Sequence, residues 1–405
     1  MFGFSKTKKF QFDINLTSVE DSNFFLRALW SLFRKEPSFK SHPASSKDGQ
    51  KKIVTIATIG LGINPWSGVI IHYKTRGCIQ SIEFYNFPVD YVELLCTAVA
   101  QSLELTRDNK KINYSLAYKF KINYGRVYDY LFDRFTIYTD DEGIQNLVFD
   151  VQGIDLEDAK TFNKAKADAI INLFALSLTV PFTYITSNEV IPVKSDRVKK
   201  NVFRDKEISL REMHSPFQID ESDFFTMNYY VNNYDSPEIR ELNSPIQMFH
   251  DGLKIERSSN SIGLQNNLET CHTLYLSAIE VLASLADKST ETCKVCSQER
   301  FKISSKIYKL ISHTSKSISL GKMLREEYER RSKFLHTGKY FSTNNFIAHH
   351  IPQLSASAVT GNLDQLIPDD RLEYLHEIIN SLIYKRIQFL STKNSQNTAP
   401  SSSRQ

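Results

Sequence analysis

Arg331 and His336 stand five residues apart within Tyr328-Glu329-Arg330-Arg331-Ser332-Lys333-Phe334-Leu335-His336-Thr337-Gly338, beside two further cations, Arg330 and Lys333. Arginine carries a permanent charge on a planar fork of donors that matches phosphate oxygens. Histidine is the side chain whose ordinary pKa lets it take and give protons near neutrality. Together they are a minimal kit for breaking an RNA phosphodiester without a metal. His336 would be general base or acid toward the 2′-hydroxyl. Arg331 would stabilise the charge that grows on the phosphoryl oxygens. Arg330, Ser332, Lys333 and Lys339 would hold flanking phosphates, with Arg330 the reserve for Arg331. On an ideal helix the offset sets Arg331 and His336 about 140° apart, so one helix alone does not aim both at one phosphate. The bland reading is that Arg331 suits the negative end of a helix dipole and Gly338 ends that helix.

The surrounding charge favours a polyanion. Between Lys294 and Lys339 twelve Lys or Arg face four Glu, a local net of +8, whereas the whole 405-residue chain nets only +4. Such a field attracts and steers nucleic acid, although a solvated helix face has the same composition. Cys293-Lys294-Val295-Cys296 has the spacing of half a zinc site, which Cys271 and His272 would complete. With no second Cys-x-x-Cys, the alternative is a loop with two unligated thiols. Gly60-x-Gly62 lacks the third glycine and the lysine of a phosphate loop. Five cysteines do not make a disulfide framework, no apolar run is long enough to span a bilayer, and the N-terminus does not read as a signal peptide. A cytoplasmic protein with reduced thiols and no membrane partner is expected.

The elements that position these residues are helical. Apolar periodicity predicts helices over 263–287, over 303–313, from 317–319 onward, and after Pro368, with Asp369 or Asp370 as a cap. The third carries Leu320, Leu324, Tyr328, Arg331 and Leu335 at helical spacing. Four such helices make a bundle. Upstream, alternation predicts strands at 10–16, 53–59, 69–73, 79–87 and 114–124. Helices are expected over 89–105 and 156–179, the latter with Phe162 in its apolar stripe. Residues 41–52 read as a loop and 195–207 as an exposed connector. The tyrosine-rich stretch 114–130 reads as a sheet facing a core rather than a base-stacking platform. The expected fold class is α+β: a mixed α/β domain over 1–250, a helical bundle over 251–392, divided between 243 and 253, and a disordered tail over 393–405.

The Arg331-x4-His336 arrangement, Tyr275-Leu276-Ser277-Ala278-Ile279-Glu280-Val281-Leu282, and the Cys-x-x-Cys insert followed by Phe301-Lys302-Ile303 together resemble the HEPN superfamily, most closely its Apea-like branch. The resemblance covers about 264–390. It implies an all-α HEPN bundle that dimerises, bringing two copies of the motif into one cleft. It also implies a metal-independent endoribonuclease that needs no cofactor, leaves 2′,3′-cyclic phosphate ends, and serves in anti-phage defence or as a toxin. In that setting Arg331 and His336 are the catalytic pair, and Glu280 positions one of them or is a surface carboxylate. Many catalytic members carry an amide or acid directly after the Arg, where this chain has Ser332. That difference favours the alternatives: a module that binds RNA or a nucleotide without cleaving it, or an oligomerisation scaffold. The first 250 residues carry no catalytic constellation and are expected to sense or regulate.

Overall fold

The computed structural model describes residues 7–34, 39–48, 51–58, 68–73, 77–122, 127–185, 189–190, 218–258, 265–289, 291–292, 299–300, 302–337 and 368–397. They are of the α+β class, as expected. The chain divides into two compact units, one of residues 1–115 and 150–164, the other of 116–149 and 165–405. This differs from a division near 250, where the chain instead runs through a continuous helix, Asn243–Ser258. The chain passes between the units three times rather than once through a linker, and composition does not register that.

The first unit is a five-stranded antiparallel sheet covered by two helices. Its strands are β1 (Thr7–Asp13), β2 (Phe39–Asp48), β3 (Lys51–Thr58), β4 (Gly68–Tyr73) and β5 (Ile79–Pro88), in the order β1-β5-β4-β3-β2. Helix α1 (Val19–Arg34) packs with α2 (Val92–Arg107), and Phe25, Leu29, Phe33, Leu95 and Val99 close on Val69, Ile71, Ile82, Phe84 and Phe87. Helix α1 is not among the expected elements, although Ser18 caps it by accepting from Asp21 N at 2.9 Å. The loop expected over 41–52 is instead most of a hairpin: Asp48 pairs with Lys51 and Phe39 with Thr58. Its polar side chains suit an edge strand, and Pro43 lies where the register shifts, a position that needs no ladder N–H.

Strands β6 (Ile112–Ile122), β7 (Tyr130–Leu131), β8 (Phe135–Thr139), β9 (Gln145–Gly153), β10 (Phe182–Tyr184) and β11 (Glu189–Val190) form a sheet of order β10-β6-β9-β8-β7, with β11 also on β6, of which residues 116–149 and those after 164 belong to the second unit. Leu116, Tyr118, Phe120 and Ile122 are all buried, as the alternation predicts, and Tyr118 stacks on Phe149 rather than facing solvent. Helix α3 (Leu156–Leu178) buries Ala169, Ile170, Leu173 and Leu176. Phe162 departs from the predicted stripe: it is 58% exposed, with the Arg27 guanidinium 3.9 Å from its ring. Helices α4 (Glu221–Asn232) and α5 (Pro237–Arg240) are capped by Asp220 and Ser236.

Helices α6 (Asn243–Ser258), α7 (Gln265–Ala286), α8 (Ile303–Ser315), α9 (Ile318–Thr337) and α10 (Pro368–Asn397) follow, with two short strands, β12 (Glu291–Thr292) and β13 (Glu299–Arg300), paired between α7 and α8.

 The bundle therefore has five helices among the described residues, because α6 joins the four that periodicity predicted. Helix α7 packs against α6, α8, α9 and α10, and buries Tyr275, Leu276, Ala278, Ile279, Leu282 and Ala283. On α10 the predicted residues Leu372, Leu375, Ile379, Leu382, Ile383 and Leu390 are all buried. Leu335 of α9, at helical spacing from Leu324, is instead 53% exposed. The tail expected to be disordered from 393 is helical to Asn397: polar residues continue a helix when no breaker intervenes, and the first is Pro400.

Two polar devices tie this unit together. Tyr275 donates to Glu256 Oε2 at 2.7 Å, and His376 Nε2 lies 3.0 Å from the same oxygen, linking α6, α7 and α10. Gly252 permits the close approach of α6 to α7, since a Cβ there would lie 2.4 Å from the Tyr275 ring. That ring is pinned by its hydroxyl, so Gly252→Ala is expected to cost about 1–3 kcal/mol. Urea denaturation measures this, and an unchanged midpoint would mean that Tyr275 gives way.

The second device is His250, 1% exposed. Its Nε2 accepts from Phe182 N at 2.9 Å, and its Nδ1 donates to Asn172 Oδ1 at 2.5 Å. Burial, with Lys254 nearby, pushes its pKa down from 6.5 to about 3. Between those values the unfolded chain binds a proton that the folded chain refuses. The stability contributed is thus complete above about pH 6.5 and is lost as the pH falls toward 3. Denaturation midpoints across pH 7 to 4 should fall for the wild type, and His250→Gln should lack that part of the slope. Equal slopes in both proteins would exclude His250 as the source.

Candidate functional site

The expected Arg–His motif occupies the last turns of α9, and α7 supplies what holds the arginine. Arg331 Nη1 donates to Glu280 Oε2 at 2.6 Å, and Nη2 donates to Ser277 Oγ at 2.7 Å. Glu280 and Ser277 are three residues apart on α7, the spacing that puts both on one face. Ser277 also donates to Thr273 O at 2.7 Å, so its hydrogen is committed to the helix and an oxygen lone pair is left for Arg331. The guanidinium lies 5.5 Å from the Tyr328 ring, one turn earlier on α9. Burial and the Glu280 charge push the Tyr328 pKa up, while Arg331 pulls it down.

The Arg331 side chain is only 14% exposed and Glu280 29%. Among the described residues Arg331 Nε is buried without a hydrogen-bond partner. Of the other predicted site residues, Ser332 is half-buried on α9. Arg330, Lys333 and His336 lie on the α9 backbone, but their side chains are outside the described residues, as are Lys339, Cys293 and Cys296. Ser277 and Tyr328 were not singled out from sequence. The available signals were their offsets, three residues before Glu280 and three before Arg331.

Part of the basic stretch is already engaged. Lys306 is 7% exposed and donates to Asp287 O at 2.6 Å, closing the C-terminal end of α7. Arg325 pairs with Glu329 at 3.1 Å, and Lys309 lies 3.9 Å from Asp287. These cations, with Arg331, hold helices, and the local net charge overstates what is left for a ligand.

The proposed zinc ligands on α7 diverge. Cys271 is fully buried against α6, its thiol donates to Gly252 O at 3.4 Å, and burial pushes its pKa up to about 12. His272 Nε2 instead lies 3.3 Å from Glu327 Oε2 on α9. A thiol so placed is a poor source of thiolate, and no group of three metal-ligating side chains occurs among the described residues. No described helix is long and apolar enough to cross a membrane.

The first unit holds a separate cavity of about 490 Å³ beside Leu26, Trp30, Ile71 and Phe162. Its two arginines are matched by carboxylates: Arg27 donates to Asp158 at 2.9 and 2.7 Å, and Arg34 to Asp155 at 3.2 Å. It therefore offers no unbalanced cation to a phosphate.

No family model, curated protein or solved structure matches this chain. The site is defined by its own geometry. Glu280→Ala would leave the Arg331 charge largely buried with one partner gone, which is expected to cost about 1–3 kcal/mol after allowance for the partial exposure of Glu280. A double-mutant cycle with Arg331→Met measures the coupling, and additive effects would show that the pair contributes nothing.

Proposed function

We propose that the C-terminal helices form a HEPN-type bundle and that the protein is a metal-independent endoribonuclease acting as a homodimer. The observation that carries this reading is the Arg331 guanidinium, fixed by Glu280 and Ser277 at the start of an Arg-x4-His motif. In the proposed reaction His336 removes the 2′-hydroxyl proton and the 2′-oxygen attacks phosphorus. The bond to the 5′-oxygen breaks, and a protonated histidine returns a proton to that leaving oxygen. The products are a 2′,3′-cyclic phosphate and a 5′-hydroxyl. Arg331 stabilises the charge on the non-bridging oxygens. The 140° offset along α9 is why a second copy enters the proposal: two motifs facing one another supply an arginine and a histidine from different helices. Arg330, Ser332, Lys333 and Lys339 hold neighbouring phosphates. We assign the activity to phage defence or a toxin role in the cytoplasm, with residues 1–250 as its regulator.

A second reading, an RNA- or nucleotide-binding module without cleavage, is favoured by the burial of Arg331 and by Ser332 in the following position. The test is cleavage of a labelled structured RNA in EDTA by wild type, Arg331→Ala and His336→Ala. The expected outcome is cleavage by wild type with cyclic-phosphate ends, and a loss of at least about a hundredfold in each variant. Cleavage retained in both variants would refute the site. RNA binding without cleavage by the wild type would establish the second reading.

A further inference from the structure

The acceptors around Arg331 are arranged unevenly. Glu280 takes a hydrogen from Nη1 and Ser277 takes one from Nη2, so both contacts leave Nε out. A guanidinium grips a phosphate through two parallel bonds from one of its edges, and Nε–H with Nη2–H makes one such edge. Nε is buried and has no partner among the described residues. A buried donor left unmade is expensive, about 1–3 kcal/mol and more on a charged group. An acceptor arriving with a ligand would recover that energy, and a phosphate oxygen is the matching acceptor for a cation.

Ser277 has the right chemistry for one half of such a holder. Its own hydrogen is spent on Thr273 O, so toward Arg331 it can only accept. Glu280, one turn away on α7, supplies the charge, and Ser277 fixes the rotation of the plane. One acceptor would leave the guanidinium free to turn about the line to Glu280; two remove that freedom.

We propose that Ser277 is a positioning residue which, together with Glu280, fixes the plane of the Arg331 guanidinium for a phosphodiester. This deepens the ribonuclease reading and rests on it. Ser277 touches no substrate; it acts through Arg331. The loss from misplacing one such group is about ten- to a hundredfold in rate.

The experiment compares single-turnover RNA cleavage by wild type, Ser277→Ala, Ser277→Thr, Arg331→Lys and Arg331→Ala, with the melting temperature of each. Ser277→Ala is expected to slow cleavage about ten- to a hundredfold, and Ser277→Thr, which keeps the hydroxyl, to restore most of the rate. Arg331→Lys keeps the charge but not the fork, and should fall as far as Arg331→Ala. Wild-type rates in Ser277→Ala beside an inactive Arg331→Ala would overturn the positioning role and leave the ribonuclease reading intact. A Thr variant as slow as Ala at the same melting temperature would overturn it as well. If wild type leaves the RNA uncut, the ribonuclease reading falls. The holder is then decided by affinity for a labelled single-stranded RNA: weaker binding by Ser277→Ala and Arg331→Lys supports it, and unchanged or absent binding overturns it.

Discussion

Helix α7 is the constraint on which the second unit depends. It must satisfy α6, α8, α9 and α10 at once, so little of its circumference is free to vary. The apolar positions Tyr275, Leu276, Ala278, Ile279, Leu282 and Ala283 are buried. Ser277 and Glu280 fall between them and meet α9. A helix apolar nearly all round belongs in a core, and its few polar positions are then answered by a neighbour. Arg331 is that answer. The docking of α9 and the posture of the proposed catalytic arginine are one interaction.

The same packing explains why the basic stretch is less of a ligand surface than its composition implies. Lys306 is drawn inward to close the carbonyl end of α7, Arg325 is held by Glu329, and Arg331 is held by Glu280. Burial makes these cations structural. Conversely, the Arg331 guanidinium is oriented by two engaged donors, with Nε buried and without a partner among the described residues. Cys271 and His272 show the opposite outcome. Adjacent residues on a helix project about 100° apart, and one meets α6 while the other meets α9.

The fold was legible where a single period governed a long segment. The bundle helices α7 to α10, the strand β6 and the helix α3 form where periodicity predicts and mostly follow their stripes, because a long element buried on one side must repeat its apolar residues at its own period. Short or polar elements were not legible. Strand β2 has a polar sequence, as suits an edge strand, and is held by backbone pairing with β3 that composition does not show. Phe162 and Leu335 sit at core spacing but remain exposed, since periodicity says which face a residue shares and not how far the neighbouring element extends.

The sequence by itself determined the helical elements of the bundle and the placing of Arg331 and His336 at the end of α9. These follow from local propensity and from residue chemistry, which need no knowledge of neighbours. Only the tertiary structure decided that Glu280 meets Arg331, that Ser277 joins it, and that Cys271 and His272 part company. It also decided that the units divide within β6, β9 and α3 rather than near residue 250. The physical reason is common to all of these: each depends on which helices and strands lie side by side, across separations such as the 51 residues between Glu280 and Arg331. Spacing along the chain carries no record of that.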